Sequence, residues 1–582
     1  AADRARMLEA LRQLRGLPDT ATEAELLAGT LIRRLEPAWF DPAALPCGRR
    51  MRSGGERPLV VDMPRRSLPS PLPPGWTVEE EDATHARVVL AGPQEFIMPA
   101  TREFEVKVAS QLPSGFDPAA QYPSRNHPRG LQLAIYAASD ALGDLGIPWE
   151  QLRERVAAEQ VSVYAGSAMG QLDEAGTGGM LKARVSGQRA TSKYCPLGLA
   201  EMPADFLNAY VLGSLGATGA SLGACASFLY NLRHAVHDIR SGRARVAIVG
   251  AAEAPITPEV MEGYAAMGAL ATDKALRQLD GLGADAEPDY RRACRPFAPN
   301  CGFTIAESAQ VVVLFDDALA LELGAALRGS VVDVFVNADG YKKSISGPGV
   351  GNYVTVARAM AAARAVLGGK TFREGGLVQA HGTGTPQNRT TESQILSRCA
   401  GAFGLEDLPV AALKCYLGHS LGAASADQVT VTLDTWRHGI VPGIATIDGI
   451  ADDVTDEHLA FCLEHTELAP AQRAWAVVNA KGFGGNNASG TLLGPDPTRR
   501  MLEARHGSRA LAGWERASEA VAERRAAHET AVLAGEAPAR YLFDHGVLGD
   551  NDVAFDGEAV SVGGARIDLG YSSPFTDMHS DD

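Results

Sequence analysis

Gly219-Ala-Ser-Leu-Gly-Ala-Cys225-Ala-Ser-Phe-Leu-Tyr230 is the stretch on which the fold turns. Its small residues make a tight turn. Beyond it, apolar side chains recur at Phe228, Leu229, Leu232, Ala235, Val236 and Ile239, the three-and-four spacing of a helix with one buried face. The helix stops at Ser241-Gly242, and Ala244-Arg-Val-Ala-Ile-Val-Gly250 reads as a strand. One thiol, Cys225, is thereby delivered to the start of a helix. Unpaired N–H groups and the positive dipole end there favour a thiolate and lower its pKa. A small buried apolar residue is the other reading of such a cysteine.

Outward from this turn the same grammar repeats. Upstream, a helix from Arg129 to Leu145 leads to the strand Val161-Ser-Val-Tyr-Ala165, and a second helix spans Ala204–Leu212. Downstream come a strand at 309–315, then a second series: strand 330–337, helix 351–367, strand 376–380, helix 390–403, strand 409–413, helix 421–438 and strands 475–480 and 488–493. Alternating strands and helices joined by glycine turns predict an α/β fold with buried sheets. Two series of similar grammar predict an internal duplication. The boundaries are an arm over 1–110, halves over 111–325 and 326–495, and an appendage over 496–582 with a long helix near 511–534. Residues 1–60 read as helical, with an amphipathic Glu23–Leu35, Pro64–Pro74 as a stiff linker or surface arm, and residues 76–110 as short strand-like pieces.

The 582 residues are 46% hydrophobic and 21% charged, as in ordinary globular enzymes. A net charge of −16 disfavours nucleic acid as a partner. Eight cysteines lie scattered without a CxxC pair, which argues against a zinc site, and no metal site is expected. The lack of a signal peptide or long apolar run points to a reduced, cytoplasmic location without a membrane span. The first residue is not Met, so the true start is expected upstream.

Three further stretches carry chemistry. Val378-Gln-Ala-His381-Gly-Thr383-Gly-Thr385-Pro386 is a strand ending in a histidine and a Gly/Thr turn. Its threonines can bond a polar ligand arm or cap the next helix. Leu413-Lys414-Cys-Tyr-Leu-Gly418-His419-Ser-Leu-Gly422 places another histidine at a helix start. Asn479-Ala-Lys-Gly482-Phe483-Gly484-Gly485 is a glycine run around one aromatic. In α/β folds, sites assemble at the carboxyl ends of strands.

In this order, with Gly115-Phe-Asp-Pro118, Ile256-Thr-Pro258, Gly268-Ala-Leu270, Arg295-Pro-Phe297, Gly302-Phe303 and Glu307, the chain resembles the β-ketoacyl-[acyl-carrier-protein] synthases. These are decarboxylating condensing enzymes of the thiolase superfamily, and the resemblance covers roughly Leu112–Leu493. The arm, the stretch Ser344-Ile-Ser-Gly-Pro348 and the appendage look most like the FabY-type stand-alone synthases, a group with a role in initiating fatty-acid synthesis.

The resemblance implies a thiolase-like fold: two duplicated halves in a five-layer αβαβα arrangement, assembled as a homodimer. It implies that Cys225 takes an acyl group from coenzyme A or carrier protein, with an oxyanion hole from the N–H groups of Cys225 and Phe483. His381 and His419, both neutral, would hold the enolate left by decarboxylation of malonyl-carrier protein. Lys414, paired with Glu392, would support the site. Thr383 and Thr385 would hold the phosphopantetheine arm, which arrives with the substrate, so that no cofactor is needed. Phe483 would gate Cys225, and Arg125 and Arg129 would dock acyl carrier protein.

The chain departs from the family at three points. Arg389 stands where the family usually has an Asp eight positions after His381, Ser425 replaces a Gly, and the usual first strand is not recognisable in residues 1–30. Other readings are a polyketide-type ketosynthase subunit and a serine hydrolase using Ser221 in Gly219-x-Ser-x-Gly223. The hydrolase elbow needs a strand before it, and Tyr210–Ala217 makes a poor one. A degradative thiolase needs a second cysteine in the last glycine loop, and residues 482–490 contain none.

Overall fold

The computed structural model describes residues 2–344, 347–570 and 578, so Ile345 and Ser346 of the Ser344–Pro348 stretch lie outside the described residues. Two sheets form the centre. The first orders its strands Ser308–Phe315, Val246–Glu253, Val161–Gly166 and Thr218–Gly219. Val246–Glu253 is parallel to Val161–Gly166 and antiparallel to Ser308–Phe315. The second orders Ser330–Ala338, Asn486–Leu493, Trp475–Gly482, Gly376–Gln379, Leu408–Ala411 and Leu459–Phe461. Its antiparallel neighbour of Trp475–Gly482 is Asn486–Leu493.

Alternation along the central strands explains the layers. In Val246–Glu253, Val246 and Ile248 join an apolar cluster with Leu131 and Ile135 of the helix Arg129–Leu145. Ala247, Val249 and Ala251 face the other way. They meet Phe228, Leu229 and Leu232 of the helix Ser227–Arg240, and Ala426 and Val429 of the helix Ala424–His438. From the opposite side Ala476, Val478 and Ala480 of Trp475–Gly482 enter the same cluster. Trp475 and Val477 pack outward on Val356 and Ile395 of the helices Gly351–Leu367 and Pro386–Ala402. Strands buried on both faces read as near-continuous apolar runs. The alanines on the inner faces let the helix pair sit close between two sheets. The result is the expected five-layer αβαβα order.

Over residues 1–60 the arm differs from its sequence reading, whereas the strand-like pieces read over 76–110 are strands. Helix is confined to Ala2–Leu14 and Glu23–Ala28. Gly29 ends the second helix, and Leu31, at φ 57°, turns the chain into a strand, Leu31–Arg34, paired with Val108–Gln111. Leu45–Arg52 and Glu95–Arg102 form an antiparallel ribbon. It leads to a small sheet of Leu59–Pro64, His85–Leu90 and Trp76–Glu81 around Ala86 and Val88. The proline-rich segment is therefore a connection inside that sheet, with a turn at Arg65–Ser67. The appendage helix runs Pro495–Leu533 with a break at Gly507 and returns to the first half. Val521 enters the apolar cluster beside Arg129–Leu145, and Arg524 and Arg525 donate to the carbonyls of Gly146 and Asp144.

Candidate active site

Cys225 follows Ala224, which holds a left-handed φ of 50°. That backbone state is uncommon for a residue with a side chain and concentrates at functional turns. The thiol lies buried among Ile305, Phe303, Leu421 and Ile256, two residues before the helix Ser227–Arg240. The N–H groups of Cys225 and Phe483 both reach its sulfur. Gly482 is required at this approach, because a Cβ there would stand 2.2 Å from the Gly223 carbonyl oxygen and 3.2 Å from the Cys225 nitrogen. The helix start alone predicted a lowered thiol pKa. Burial instead pushes it up to about 12, with Lys414 and the two N–H groups opposing. Desolvation of the thiolate outweighs the dipole in so closed a place.

His381 ends the strand Gly376–Gln379, and its main chain is clamped from both sides. Its N–H donates to Glu392 Oε1 at 2.7 Å, while Lys414 Nζ donates to its carbonyl at 2.6 Å. Glu392, fully buried, also accepts the Gly382 N–H (2.8 Å), Asn388 Nδ2 (2.9 Å) and Asn479 Nδ2 (2.7 Å). The expected direct Lys414–Glu392 pair is thus replaced by a shared hold on His381, because strand geometry puts the peptide of His381 between them.

His419 is held by the other half. Its N–H donates to the Thr304 carbonyl (2.7 Å) and its carbonyl accepts the Ala306 N–H (3.1 Å). The two imidazoles meet edge to face, centroids 5.3 Å apart. Phe303 packs edge-on to His419 at 5.1 Å. Burial, then the Lys414 charge, drives both histidines well below the usual imidazole pKa, so both are neutral. Their Nδ1 atoms have no hydrogen-bond partner among the described residues.

The loop after Gly482 turns through Gly484 (φ 86°) and Gly485 (φ 85°), a conformation that glycine alone takes without strain. It sets the Phe483 ring 6.2 Å from Tyr264. At the other side, Thr383 and Thr385 hydroxyls bond each other at 3.0 Å. Thr385 is the N-cap of Pro386–Ala402, yet its side chain makes no capping bond, so the capping role is not the one it plays.

The remaining candidates separate. Arg125 is exposed. Arg129 is occupied: its guanidinium donates to buried Glu307 at 2.7 and 3.2 Å and lies 4.5 Å over the Trp39 ring. Arg389, in the position of the family's acid, turns away to Asp453 through two bonds of 2.7 and 2.8 Å. Ser221 follows a strand of two residues, Thr218–Gly219, and its N–H donates to Asn231. No histidine is hydrogen-bonded to it among the described residues, so the hydrolase triad is not built. Among the described residues no group of three or more His, Cys, Asp or Glu is placed to hold a metal ion.

Sequence reasoning missed Glu253. It ends an otherwise apolar strand and accepts from Ser167 (2.8 Å), the Gly422 N–H (3.2 Å) and the Ala168 N–H. A lone acid after Val-Ala-Ile-Val-Gly-Ala-Ala was the available signal.

The profile described as "Beta-ketoacyl synthase, N-terminal domain" matches residues 99–320, and "Beta-ketoacyl synthase, C-terminal domain" matches 328–448. Beta-ketoacyl-[acyl-carrier-protein] synthase FabY of Pseudomonas aeruginosa is 45% identical over 558 residues, 95% of this chain and 87% of that protein. The 3-oxoacyl-[acyl-carrier-protein] synthase 2 of Vibrio cholerae is 30% identical over 399 residues, 67% of this chain and 88% of the relative. The crystal structure of the noncanonical ketosynthase FabY from P. aeruginosa superposes with a TM-score of 0.94 at 42% identity, covering 99% of this chain and 93% of that one. A buried thiol under two N–H groups, beside two neutral histidines brought together by duplicated halves, agrees with these likenesses: the chain belongs to the β-ketoacyl synthase family of acyltransferases, with its thiolase-like fold.

Proposed function

We propose that the chain joins an acyl primer to malonyl-[acyl-carrier-protein] by decarboxylative condensation, as the initiating condensation of fatty-acid synthesis. Cys225 sulfur attacks the primer's thioester carbonyl. The new C–S bond replaces the bond to pantetheine, and the thiol proton leaves with the departing sulfur, so a free thiolate is never exposed to water. The N–H groups of Cys225 and Phe483 receive the tetrahedral oxyanion. Malonyl thioester then enters along Thr383 and Thr385. Loss of carbon dioxide leaves its electron pair as an enolate, whose oxygen accepts an N–H from each of His381 and His419. The enolate carbon attacks acyl-Cys225, the Cys225 sulfur departs and takes one proton from water, and the β-ketoacyl chain leaves on the carrier. Neutral histidines donate without adding full charge to the site.

The observation that carries this reading is the pair of neutral, unpartnered imidazoles 5.3 Å apart on elements anchored to both halves, beside a thiol reached by two N–H groups. Arg125 offers the local positive charge an acidic carrier needs on a chain of net charge −16. The reading extends to a homodimer working in the cytoplasm without a resident cofactor; no helix among the described residues is long and apolar enough to cross a membrane. A condensation assay with malonyl-carrier protein and a series of primers, read by mass spectrometry, tests it. Product is expected with coenzyme A or carrier-bound short primers. No product with any primer would refute it.

A further inference from the structure

Lys481 has no part in the chemistry above. Side chains alternate along Trp475–Gly482: Ala476, Val478 and Ala480 face the helix pair between the sheets, Trp475 and Val477 the outer helices. Asn479, on the outer face, donates to Glu392 at 2.7 Å. Lys481 is next on that face, behind the strand from Gly482 and Cys225, and its Nζ donates to Thr391 Oγ1 at 3.1 Å. Thr391 and Glu392 are neighbours on the helix Pro386–Ala402.

Two lysines therefore lie near the carboxylate that clamps His381: Lys414 shares the His381 main chain with it, and Lys481 is bonded to Thr391, the residue beside it. The titratable groups about this place are Glu392 from the helix, Asp339 after the strand Ser330–Ala338 with Lys342 paired to it, Asp427 of the helix Ala424–His438, Cys225, Cys294, Lys414, His419 and Lys481 itself. Arg389, where the family carries an acid, gives its charge to Asp453 instead. Burial lowers the pKa of both lysines and Glu392 opposes it, and both lysines disfavour an imidazolium at His381.

We propose that Lys481 is a positioning residue for decarboxylation: a largely buried lysine, hydrogen-bonded to Thr391 beside Glu392, that together with Lys414 sets the field at His381. This rests on the condensation mechanism above. Like charge disfavours an imidazolium, so His381 keeps a lone proton to offer the enolate, and the cation also favours the anion that forms there.

The test uses the full chain with Lys481→Met and Lys481→Arg, read in three ways. Acylation of Cys225 by primer, followed by intact mass, is expected within about twofold of the parent, since that face of the strand is unaltered. Condensation with malonyl-carrier protein is expected to fall about tenfold in Lys481→Met. Removing a positive neighbour raises the imidazole pKa, so the acid limb of the condensation rate moves to higher pH by about half a unit or more. Lys481→Arg restores both rate and limb. Should Lys481→Met fail to fold, by its melting curve, Lys481→Gln is read the same way. An unmoved acid limb, an equal fall in acylation and condensation, or no rescue by folded Lys481→Arg overturns the proposal. Absence of condensation by the parent chain overturns the mechanism beneath it instead.

Discussion

The two halves use one scaffold for opposite ends. In the first, Val246–Glu253 pairs with Ser308–Phe315 from Val246↔Phe315 to Glu253↔Ser308. In the second, Trp475–Gly482 pairs with Asn486–Leu493 from Trp475↔Leu493 to Gly482↔Asn486. Ala224 takes φ 50° three residues before the helix Ser227–Arg240, and Leu421 takes φ 49° three residues before Ala424–His438. Cys225 is thus the counterpart of Gly422, and Glu253 of Gly482. Each strand end packs against the other half's turn. Gly482 leaves Cys225 room and access, whereas Glu253 fills the matching place, lying where a Cβ on Gly422 would come within 2.5 Å of its Oε1. A duplicated frame becomes a one-sided catalyst when one turn is opened by a glycine and the other is closed by a hydrogen-bonded carboxylate.

The strongest way to break this contrast is to close the open side. Gly482→Ala places a methyl against backbone that cannot yield, and acylation of Cys225, read by intact mass, is expected to fall about 100-fold or more; acylation at the parental rate would contradict the comparison. On the closed side the consequence is a pH dependence. Burial raises the Glu253 carboxyl to about 7 from 4.5. A carboxyl whose folded pKa is raised contributes stability below the unfolded value, and that contribution is lost as pH climbs through the folded one. Between pH 4.5 and 7 the parent should therefore lose about 3 kcal/mol relative to Glu253→Gln in urea unfolding. Parallel pH profiles for the two proteins would show that Glu253 stays ionised.

Smaller effects sharpen the contrast at the substrate's entrance. Thr385→Val should raise KM for malonyl-carrier protein about tenfold and lower the melting temperature only slightly, because the hydroxyl caps nothing and, among the described residues, bonds Thr383 alone. A markedly lowered melting temperature with unchanged KM would return Thr385 to a structural role. Charge reversal of the two arginines should split them: Arg125→Glu raises carrier KM about fivefold without altering turnover of a coenzyme A primer, while Arg129→Glu lowers stability by stranding Glu307. An unchanged carrier KM in Arg125→Glu removes it from the docking surface.

What could be read in advance follows from how local each signal is. The helices at Arg129–Leu145 and Gly351–Leu367 coincide with their sequence-derived bounds because a buried stripe is written in consecutive residues. Cys225, His381 and His419 each stand at a strand-to-helix turn, and their order in the chain carried the family resemblance. The arm's first sixty residues were opaque because Leu45–Arg52, with Arg49, Arg50 and Arg52 beside Met51, is largely exposed beyond Leu45 and shows no alternation. The thiol's pKa direction was misjudged because the helix start is visible in sequence and the burial is not. Glu253, Lys481 and the grip of Thr304 and Ala306 on His419 act across helices or halves far apart in the chain, where spacing says nothing.

In the proposed mechanism labour is divided, with the acyl group on Cys225 and decarboxylation at the histidines. A single-turnover experiment, primer first and malonyl-carrier protein second, followed by intact mass of both proteins in the parent, Cys225→Ala and His381→Ala, tests it directly. His381→Ala should accumulate acyl-Cys225 and yield no β-ketoacyl carrier, and Cys225→Ala should take no acyl group and make no product. Full condensation by Cys225→Ala, or β-ketoacyl carrier formed at the parental rate by His381→Ala, would contradict it.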